Sequence, residues 1–470
     1  MNTDLIDITD QIIPEKNPKY FNDEESLEIY QTCTYLMEEF IKEHPRLITE
    51  SDFDDIFDEN IEELMHSHFD CDIFYTDEAE DEMEEIIEHA KNDFFKDYIP
   101  PRSYPDTRIL ETPDYDYISE QLNVLRNKPQ PIQRTKEWYE FRHNLITASN
   151  AYKAFESPST QNQLIYEKCK PPEEETDPTT VVMVNTNTTL HWGQKYEKLS
   201  VLYYEDTYET KIEDFGCIQH EQYPFLGASP DGINILKRSP RYGRMLEIKN
   251  IVNREIDGIP KKEYWIQMQL QMEVCDLDEC DFLETKFIEY PDIESYITDS
   301  TTDIYEDEDG IEFTNLCVSK DDKLKGQIIY FHTKDGSPFY LYKPFDIIHP
   351  DDISIWQEKA IEKYQNGSEY KYIYMKTIYW KLEFVSCVLV CRNRQWFKDN
   401  IGDLELLWKT VEKERVTGYE HRAPNRRQKP ENTIEIMTSD TSTGCLLKFN
   451  KDTGKITVIK KDKNDDIIEN

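Results

Sequence analysis

The sequence predicts an α/β fold for residues 121–295, in which a central mixed sheet of four or five strands is flanked by helices. Two kinds of segment predict it. Apolar runs at 222–235 and 244–250 have the residue alternation of strands. Segments that begin near 192 and 261 instead repeat their apolar residues at helical spacing. Strands that alternate with helices along a chain are typical of an α/β sheet.

The length of the chain predicts further domains beside this core. A single hydrophobic core stops growing at roughly 250–300 residues, and this chain has 470. A proline-rich stretch at 98–115 and a polar interruption at 296–310 mark the boundaries, because proline disfavours regular structure. We therefore expect an acidic, mainly helical N-terminal region over 1–115 and an α+β C-terminal extension over 296–470.

The extension contains signals for strands and for helices. Two β-rich runs around a Gly-containing turn at 326–345 predict a hairpin. An apolar run at 384–391 predicts a buried strand within a helix-rich, aromatic segment from about 350 to 418. A final hairpin is predicted at 445–461. Polar loops are predicted at 170–180 and 421–429.

The acidity of the chain is concentrated in its first quarter. The formal net charge is −42, and residues 1–120 contribute −28 of it, with 36 Asp and Glu against 8 Lys and Arg. An acidic helical face is most often a solvated, solubilising surface. The alternative is an arm that mimics nucleic-acid charge or recruits a basic partner. Because net charge is only a sum, the other residues can still carry basic patches that bind phosphate.

Cysteine usage and hydropathy predict a soluble, intracellular protein. The ten cysteines lack zinc-binding spacing, so reduced thiols in the core are expected. The first ten residues lack the basic start and apolar run of a signal peptide. No apolar stretch approaches the roughly 20 residues that a bilayer requires, so no membrane contact is expected.

Two carboxylates and a lysine are predicted to meet at one strand end. Asp231 lies in a turn between Pro230 and Gly232, and Glu247 and Lys249 share one face of the following strand. Such a cluster suits metal-assisted phosphodiester hydrolysis, because Mg²⁺ prefers oxygen ligands and keeps open water positions. The lysine would orient or deprotonate the attacking water, or stabilise the transition state. Taken alone the spacing is a loose pattern, and a solvent-facing Glu–Lys pair is the alternative interpretation.

Three other segments place polar groups where such a site would use them. The helix from 192 carries Glu197 at its first turn, and the helix from 261 presents Gln267 with a second glutamine one turn later. Arg142 precedes a hydroxyl pair that includes Ser149, at a point where a helix begins, which is a natural phosphate site. Singly, each has an ordinary structural interpretation: an exposed acid, a surface glutamine and half of a salt bridge.

Taken in order, these motifs resemble one family. The sequence resembles the YqaJ-type viral recombinases, which include the alkaline exonuclease of phage lambda, within the restriction-endonuclease-like PD-(D/E)xK superfamily. The resemblance covers roughly 130–290. The residues that carry it are EWYEFRHNLITAS (137–149), WGQKYE (192–197), GASPDG (227–232), LEIK (246–249) and YWIQMQ (264–269).

The resemblance implies roles for eight positions and two bound Mg²⁺ or Mn²⁺ ions. Metal binding is implied for Glu197, Asp231, Glu247 and the main-chain carbonyl of Ile248. The other implied roles are the catalytic lysine for Lys249, support of the active site for Gln267, and a grip on the terminal 5′ phosphate for Arg142 and Ser149. The acidic N-terminal region, the long spacer between Asp231 and Glu247, and the extension depart from the family pattern.

The function that the resemblance implies is metal-dependent cleavage of DNA, by a 5′–3′ exonuclease that acts on duplex ends in viral-type recombination or repair. A single-strand annealing protein and further copies of the chain are implied as partners, in the host cytoplasm or nucleus for a viral protein. Three alternatives stay open: an endonuclease, a catalytically inactive module that binds DNA ends, and an adaptor whose acidic region is the functional part.

A local excess of positive charge surrounds the predicted catalytic strand. Residues 237–262 contain eight Lys and Arg against three acids, which suits sequence-independent contacts with phosphate. Tyr242 lies amid Arg238, Arg241 and Arg244 and is a candidate for stacking on a base. A solvated basic loop is the alternative.

Overall fold

The computed structural model describes residues 20–69, 76–133, 135–172, 185–186, 188–307, 310–367 and 369–423, and the backbone of four strands beyond them. The chain divides into two compact units, Met1–Thr417 and Gly418–Asn470. The predictions for the first ten residues, for most of the loop at 170–180 and for most of the loop at 421–429 lie outside the described residues. The domain boundaries predicted from the sequence stay predictions.

Helices make up most of the first half of the chain. The α-helices are α1 (Asp23–Glu43), α2 (Phe53–His68), α3 (Asp77–Asp97), α4 (Tyr115–Asn127), α5 (Lys136–His143), α6 (Ala148–Ala151), α7 (Pro158–Cys169), α8 (Thr189–Thr207), α9 (Lys262–Cys275), α10 (Ile293–Thr298), α11 (Pro350–Ile361) and α12 (Arg394–Thr417). Among the described helices, none has the length and apolar character needed to cross a bilayer.

The strands of the first unit form one large sheet and two small ones. They are β1 (Ile146–Thr147), β2 (Ile212–Glu213), β3 (Ile218–Gln219), β4 (Leu226–Ala228), β5 (Gly232–Asn234), β6 (Met245–Asn250), β7 (Glu279–Glu289), β8 (Ile304–Glu306), β9 (Glu312–Thr314), β10 (Lys325–His332), β11 (Pro338–Tyr342) and β12 (Ile373–Cys391). The large sheet has the order β11-β10-β12-β7-β6-β5-β2, and β1-β4-β3 and β8-β9 form the small sheets. The predicted α/β fold with a mixed sheet and helices is confirmed.

The large sheet combines strands from both sides of the predicted core boundary. Strand β7 pairs in parallel with β6 on one side and antiparallel with β12 on the other. β12 pairs with all of β7, from Glu279 opposite Cys391 to Glu289 opposite Trp380. The sheet therefore has four strands from residues 121–295 and three from the extension. This sheet is larger than the core sequence alone predicts.

The acidic N-terminal region is helical, as predicted, and has a small aromatic core of its own. Phe57 packs between Phe53 and Phe94, at ring-centroid distances of 5.4 and 6.1 Å. Arg102 connects this region to the segment that precedes α9, because its buried guanidinium donates to the carbonyls of Thr49 and Pro260. No helix or strand other than an isolated bridge occurs between α3 and α4, as the proline-rich stretch predicts.

Other secondary-structure predictions have mixed outcomes. The hairpin at 326–345 is confirmed as β10–β11. The strand predicted at 384–391 is the end of β12, but only residues 388–390 of it are buried, so the prediction of a buried strand holds in part. The helix predicted from 192 begins three residues earlier, because the hydroxyl of Thr188 caps it by accepting from the backbone N–H of His191 at 3.1 Å. The cysteines whose side chains are described are all free thiols.

The second unit contains a four-stranded antiparallel sheet. Its strands, in the order β13-β14-β15-β16, are β13 (Thr433–Met437), β14 (Cys445–Asn450), β15 (Ile456–Lys461) and β16 (Ile467–Glu469). Strands β14 and β15 pair antiparallel, which confirms the hairpin predicted at 445–461.

Candidate active site

Asp231 lies at the junction between two short buried strands. β4 ends at Ala228 and β5 begins at Gly232, so Asp231 follows one strand and immediately precedes the next. A Cβ atom on Gly232 would lie 2.1 Å from the side chain of Ile212 on β2. Only glycine therefore allows β2 to approach β5 this closely, which fixes the position of Asp231 beside β6.

Glu247 and Lys249 project from the same face of β6, as the residue alternation predicts. Glu247 is 1% exposed, and the Lys249 ammonium forms an ion pair with its Oε1 atom. The Lys249 Nζ atom also lies 4.7 Å from the ring centroid of Tyr264 on α9. The alternative interpretation, a solvent-facing Glu–Lys pair, is wrong.

Two glutamines of α9 also donate to the Glu247 carboxylate. Gln267 Nε2 donates to Glu247 Oε1 at 2.8 Å, while its own Oε1 accepts from Lys249 at 3.3 Å. Gln271 Nε2 donates to Glu247 Oε2 at 2.7 Å. The sequence shows both glutamines on one helix face, but Gln271 was not among the predicted site residues. The signal that identifies it is its position one turn after Gln267.

The ionisation of the cluster is strongly perturbed. Burial, followed by the nearby charges of Glu247 and Glu197, raises the pKa of Asp231 well above its usual range. Burial by itself would lower the pKa of Lys249, but Glu247 and Asp231 raise it above its ordinary value. Lys249 is therefore a cation at neutral pH. Its positive charge offsets part of the repulsion between the carboxyl groups of Asp231 and Glu247.

Glu197 lies in the third turn of α8, and the prediction that it occupies the first turn is wrong because the helix begins at Thr189. The residue is exposed, whereas its neighbours Tyr196 and Leu199 are buried against the sheet. Its charge is close enough to Asp231 to raise the pKa of that carboxyl group. The structure therefore places Glu197 at the rim of the same cluster.

The donor set of this cluster fits a hard divalent cation. Among the described residues, no three His, Cys, Asp or Glu side chains converge closely enough to hold a metal ion by themselves. Mg²⁺, however, is usually bound by one or two carboxylates, with water and substrate phosphate completing its coordination. Asp231 and Glu247 supply those two carboxylates, and a cation between them would offset the burial and the repulsion that raise the pKa of Asp231.

The backbone of Ile248 adds an oxygen to this donor set. Its N–H donates to Asp231 Oδ2 at 2.7 Å, beyond the point where β5 ends its pairing with β6. Since the N–H and C=O of one strand residue point to the same side of the strand, the Ile248 carbonyl faces Asp231 as well. The donor set thus combines the side-chain carboxylates of Asp231 and Glu247 with the backbone carbonyl of Ile248.

Arg142 reaches the same end of the sheet from α5. Its guanidinium lies 4.7 Å from the ring centroid of Trp138 and donates to the hydroxyl of Ser229 at 2.8 Å. Ser229 lies two residues before Asp231, and its carbonyl accepts from Gln271 at 3.4 Å. Ser229 was not among the predicted site residues, although it lies within the GASPDG motif.

Ser149 lies near this group but does not contact Arg142 in any described hydrogen bond. Strands β1 and β4 are parallel, and Thr147 and Gly227 are register partners. Ser149 and Ser229 therefore follow strands that end at the same edge. Ser149 is exposed, and its hydroxyl lies 3.3 Å from that of Thr147.

Part of the predicted basic patch is structural. Tyr242 is 5% exposed and stacks on Tyr115 at 5.8 Å, so the prediction that it stacks on a base is wrong. Arg241 and Arg244 are buried and both form ion pairs with Asp281 on β7. The charge pattern alone did not reveal this partner, because Asp281 is distant in sequence. Of the four residues named in the patch, only Arg238 is exposed.

Comparisons with known proteins agree with the motifs. Residues 137–278 match the YqaJ-like viral recombinase domain. The chain is 29% identical over 356 residues to the uncharacterised protein R354 of Acanthamoeba polyphaga mimivirus, in an alignment that covers 70% of this chain and 59% of that protein. The chain thus spans less than two thirds of the length of that relative.

Two solved structures of an alkaline exonuclease from Laribacter hongkongensis, LHK-Exo, are also similar to the chain. They are the crystal structure and its complex with dAMP, with TM-scores of 0.33 and 0.32, each at 16% identity over 62% of this chain and 98% of that chain. The family match alone identifies a YqaJ-like viral recombinase domain at residues 137–278, and these residues contain every motif described above.

Proposed function

We propose that this chain is a metal-dependent deoxyribonuclease that digests duplex DNA from 5′ ends. The observation that carries the proposal is the contact set around Glu247. One buried carboxylate receives Lys249, Gln267 and Gln271, next to a second carboxylate with a raised pKa. Burying a carboxylate is costly, and the ion pair and two hydrogen bonds offset that cost. Buried clusters of ionisable groups perturbed in this way are typical of functional sites. The family match over the same residues supports nuclease chemistry.

The residues divide into those that hold the metal and those that face the substrate. Asp231, Glu247 and the Ile248 carbonyl would hold Mg²⁺ or Mn²⁺, with Glu197 at the rim of the site. The metal would supply an acidified water and charge neutralisation at the phosphate. Lys249 forms an ion pair with Glu247, and this position supports an electrostatic role at the phosphate.

The preference for an end rests on Arg142 and Ser229. A guanidinium binds a terminal phosphate through two parallel hydrogen bonds, and it does so best where a hydroxyl already fixes its orientation. Arg142 has no acidic partner among the described residues, so the guanidinium is available to an anion. Ser149 would add a second hydroxyl from the neighbouring strand end.

The test is a cleavage assay with Mg²⁺ or EDTA on three substrates: 5′-phosphorylated linear duplex, 5′-hydroxyl linear duplex and closed circular duplex. We expect Mg²⁺-dependent loss of the phosphorylated duplex and little cutting of the circle. Arg142→Ala should reduce the preference for the phosphorylated end by roughly 10-fold or more, the effect of losing a charge-assisted hydrogen bond. The control is Arg394→Ala, which removes an exposed arginine of α12.

Equal digestion of both linear ends, or ready nicking of the circle, would exclude a 5′-end exonuclease and favour an endonuclease. Absence of cleavage with either Mg²⁺ or Mn²⁺, in a protein that still binds duplex ends, would instead favour the inactive end-binding module.

A further inference from the structure

A cavity that has no part in the proposed chemistry lies near the end of strand β6. It has a volume of about 260 Å³ and lies between the first turn of α8 and the strands β10, β11 and β12. We name it the Trp192 cavity, after the indole that lines it. Its other lining residues include Tyr340, Lys195, Lys376 and Val252. The strands β10, β11 and β12 that line the cavity belong to the extension, outside the family match at residues 137–278.

The position of the cavity relates it to the candidate active site. Val252 follows Lys249 by three residues, and Lys195 precedes Glu197 by two. The side chain of Asn250, at the end of β6, donates to the carbonyl of Gly193 at 3.0 Å and so fixes the first turns of α8 against the catalytic strand. The cavity therefore lies next to the end of β6, the strand that carries Glu247 and Lys249.

The walls of the cavity offer aromatic surface to a ligand. Tyr340 lies against Tyr330, with ring centroids 5.0 Å apart and an angle of 25° between the rings. Trp192 is partly exposed as well, and the Nζ atom of Lys195 lies 4.5 Å from the centroid of its indole ring. The exposed parts of Trp192 and Tyr340 are therefore the surface on which a base could stack.

The charge of the cavity favours an anion. Lys195 forms an ion pair with Glu289, which also accepts from the Tyr196 hydroxyl at 3.0 Å, so these two charges compensate each other. Lys376 is exposed and has no acidic partner among the described residues. Burial lowers the pKa of Lys195, and the positive charge of Lys376 lowers it further. The cavity therefore has one uncompensated cation, in a chain whose formal net charge is −42.

We propose that the Trp192 cavity is a subsite for one unpaired deoxynucleotide, with the base against Trp192 and Tyr340 and the phosphate at Lys376. Aromatic surface beside a cation is the combination that binds single-stranded nucleic acid without sequence preference. This proposal rests on the proposed nuclease function. The nucleotide comes either from a DNA strand or from the mononucleotide that hydrolysis releases, and the chemistry of recognition is the same.

The experiment is photo-crosslinking in EDTA, so that no hydrolysis occurs, with 4-thiothymidine placed in a single-stranded oligonucleotide or supplied as the free 5′-monophosphate. The full-length protein is irradiated and the crosslinked peptides are identified by mass spectrometry. We expect crosslinks at Trp192 or Tyr340. Lys376→Glu should lower their yield roughly 5-fold or more, and Trp192→Leu roughly 10-fold, the effect of losing one stacked base.

The matched control is Lys398→Glu, which reverses the charge of an exposed lysine on α12 and should leave the yield unchanged. Trp192→Phe keeps an aromatic face and tests stacking if Trp192→Leu fails to fold. A crosslink with the free monophosphate identifies a product site, and a crosslink with the oligonucleotide alone identifies a strand site; both support the subsite.

Crosslinks that avoid both aromatic residues, in a protein that cleaves DNA with Mg²⁺, would overturn the subsite and leave the nuclease proposal standing. Crosslinks at Trp192 or Tyr340, in a protein that cleaves no DNA with Mg²⁺ or Mn²⁺, would support the subsite and overturn the nuclease proposal. The two proposals therefore fail separately.

Discussion

Replacing Gln271 by leucine isolates the contribution of the amide that holds Glu247. Gln271 is fully buried, and its Nε2 atom donates to Glu247 Oε2 at 2.7 Å. A hydrogen bond to a charged group contributes about 1.5–3 kcal/mol. Gln271→Leu should therefore reduce cleavage about 10- to 150-fold if the transition state requires Glu247 ionised in this orientation. We expect the loss mainly as a higher Mg²⁺ concentration at half-maximal rate, with KM for DNA nearly unchanged.

Gln269 provides a matched control on the same helix. It is 1% exposed, donates to the Cys391 carbonyl at 2.9 Å and accepts from the Asn393 N–H at 2.7 Å. Gln269→Leu leaves two backbone groups unsatisfied, at a cost of about 1–3 kcal/mol each. It should therefore lower the free energy of unfolding while the cleavage rate per folded molecule stays near that of the wild type.

The assay is single-turnover cleavage of end-labelled duplex across a Mg²⁺ titration, paired with urea unfolding of both variants. The reasoning fails if Gln271→Leu cleaves at the wild-type rate at every Mg²⁺ concentration. It also fails if the two leucine variants lose activity in proportion to their loss of stability, because Gln271 would then be a packing residue only.

Three further predictions follow from the same contacts. Asp231→Ala, Glu247→Ala and Lys249→Ala should each abolish cleavage in an initial-rate assay, and the triple variant should be no slower than the singles; a triple variant with wild-type activity would place the site elsewhere. Because the folded-state pKa of Asp231 is raised, its contribution to stability is present below its unfolded pKa and is lost as pH rises through the folded pKa. Thermal unfolding in EDTA should therefore show Asp231→Asn to be more stable than the wild type on the alkaline side, and Mg²⁺ affinity should rise with pH; no difference between the two proteins at any pH would contradict this. Arg241→Met should lower the free energy of unfolding by about 3 kcal/mol, because it removes one partner of the fully buried Asp281. DNA affinity should not change, and weaker DNA binding at unchanged stability would contradict the structural role.

The catalytic strand was predictable because its chemistry is encoded locally. The alternation in LEIK places Glu247 and Lys249 on one face whatever the rest of the sheet does, and the structure pairs them. The turn around Asp231 was equally local, since Pro230 and Gly232 fix it. The order of the motifs along the chain then related these residues to Gln267 and Arg142. The periodicity of apolar residues within one segment does not show which segments meet in the fold.

The features that were missed depend on partners far away in the sequence. Arg241 and Arg244 look like DNA contacts until Asp281 on β7 is known to lie between them. In the same way, the apolar run at 384–391 predicts a strand but not its neighbour in the sheet. The predicted start of α8 was wrong because its N-cap residue, Thr188, precedes the first apolar residue that the helical spacing identifies.

The placement of β12 has a consequence for how the protein forms as it is synthesised. β12 begins 84 residues after β7 ends, yet it covers the whole length of that strand. A growing chain therefore contains every side chain of the proposed active site before it contains β12. Until β12 emerges from the ribosome, β7 presents an eleven-residue open edge that can pair with another nascent chain. Translation that is slow or interrupted between β7 and β12 should thus favour aggregation over folding.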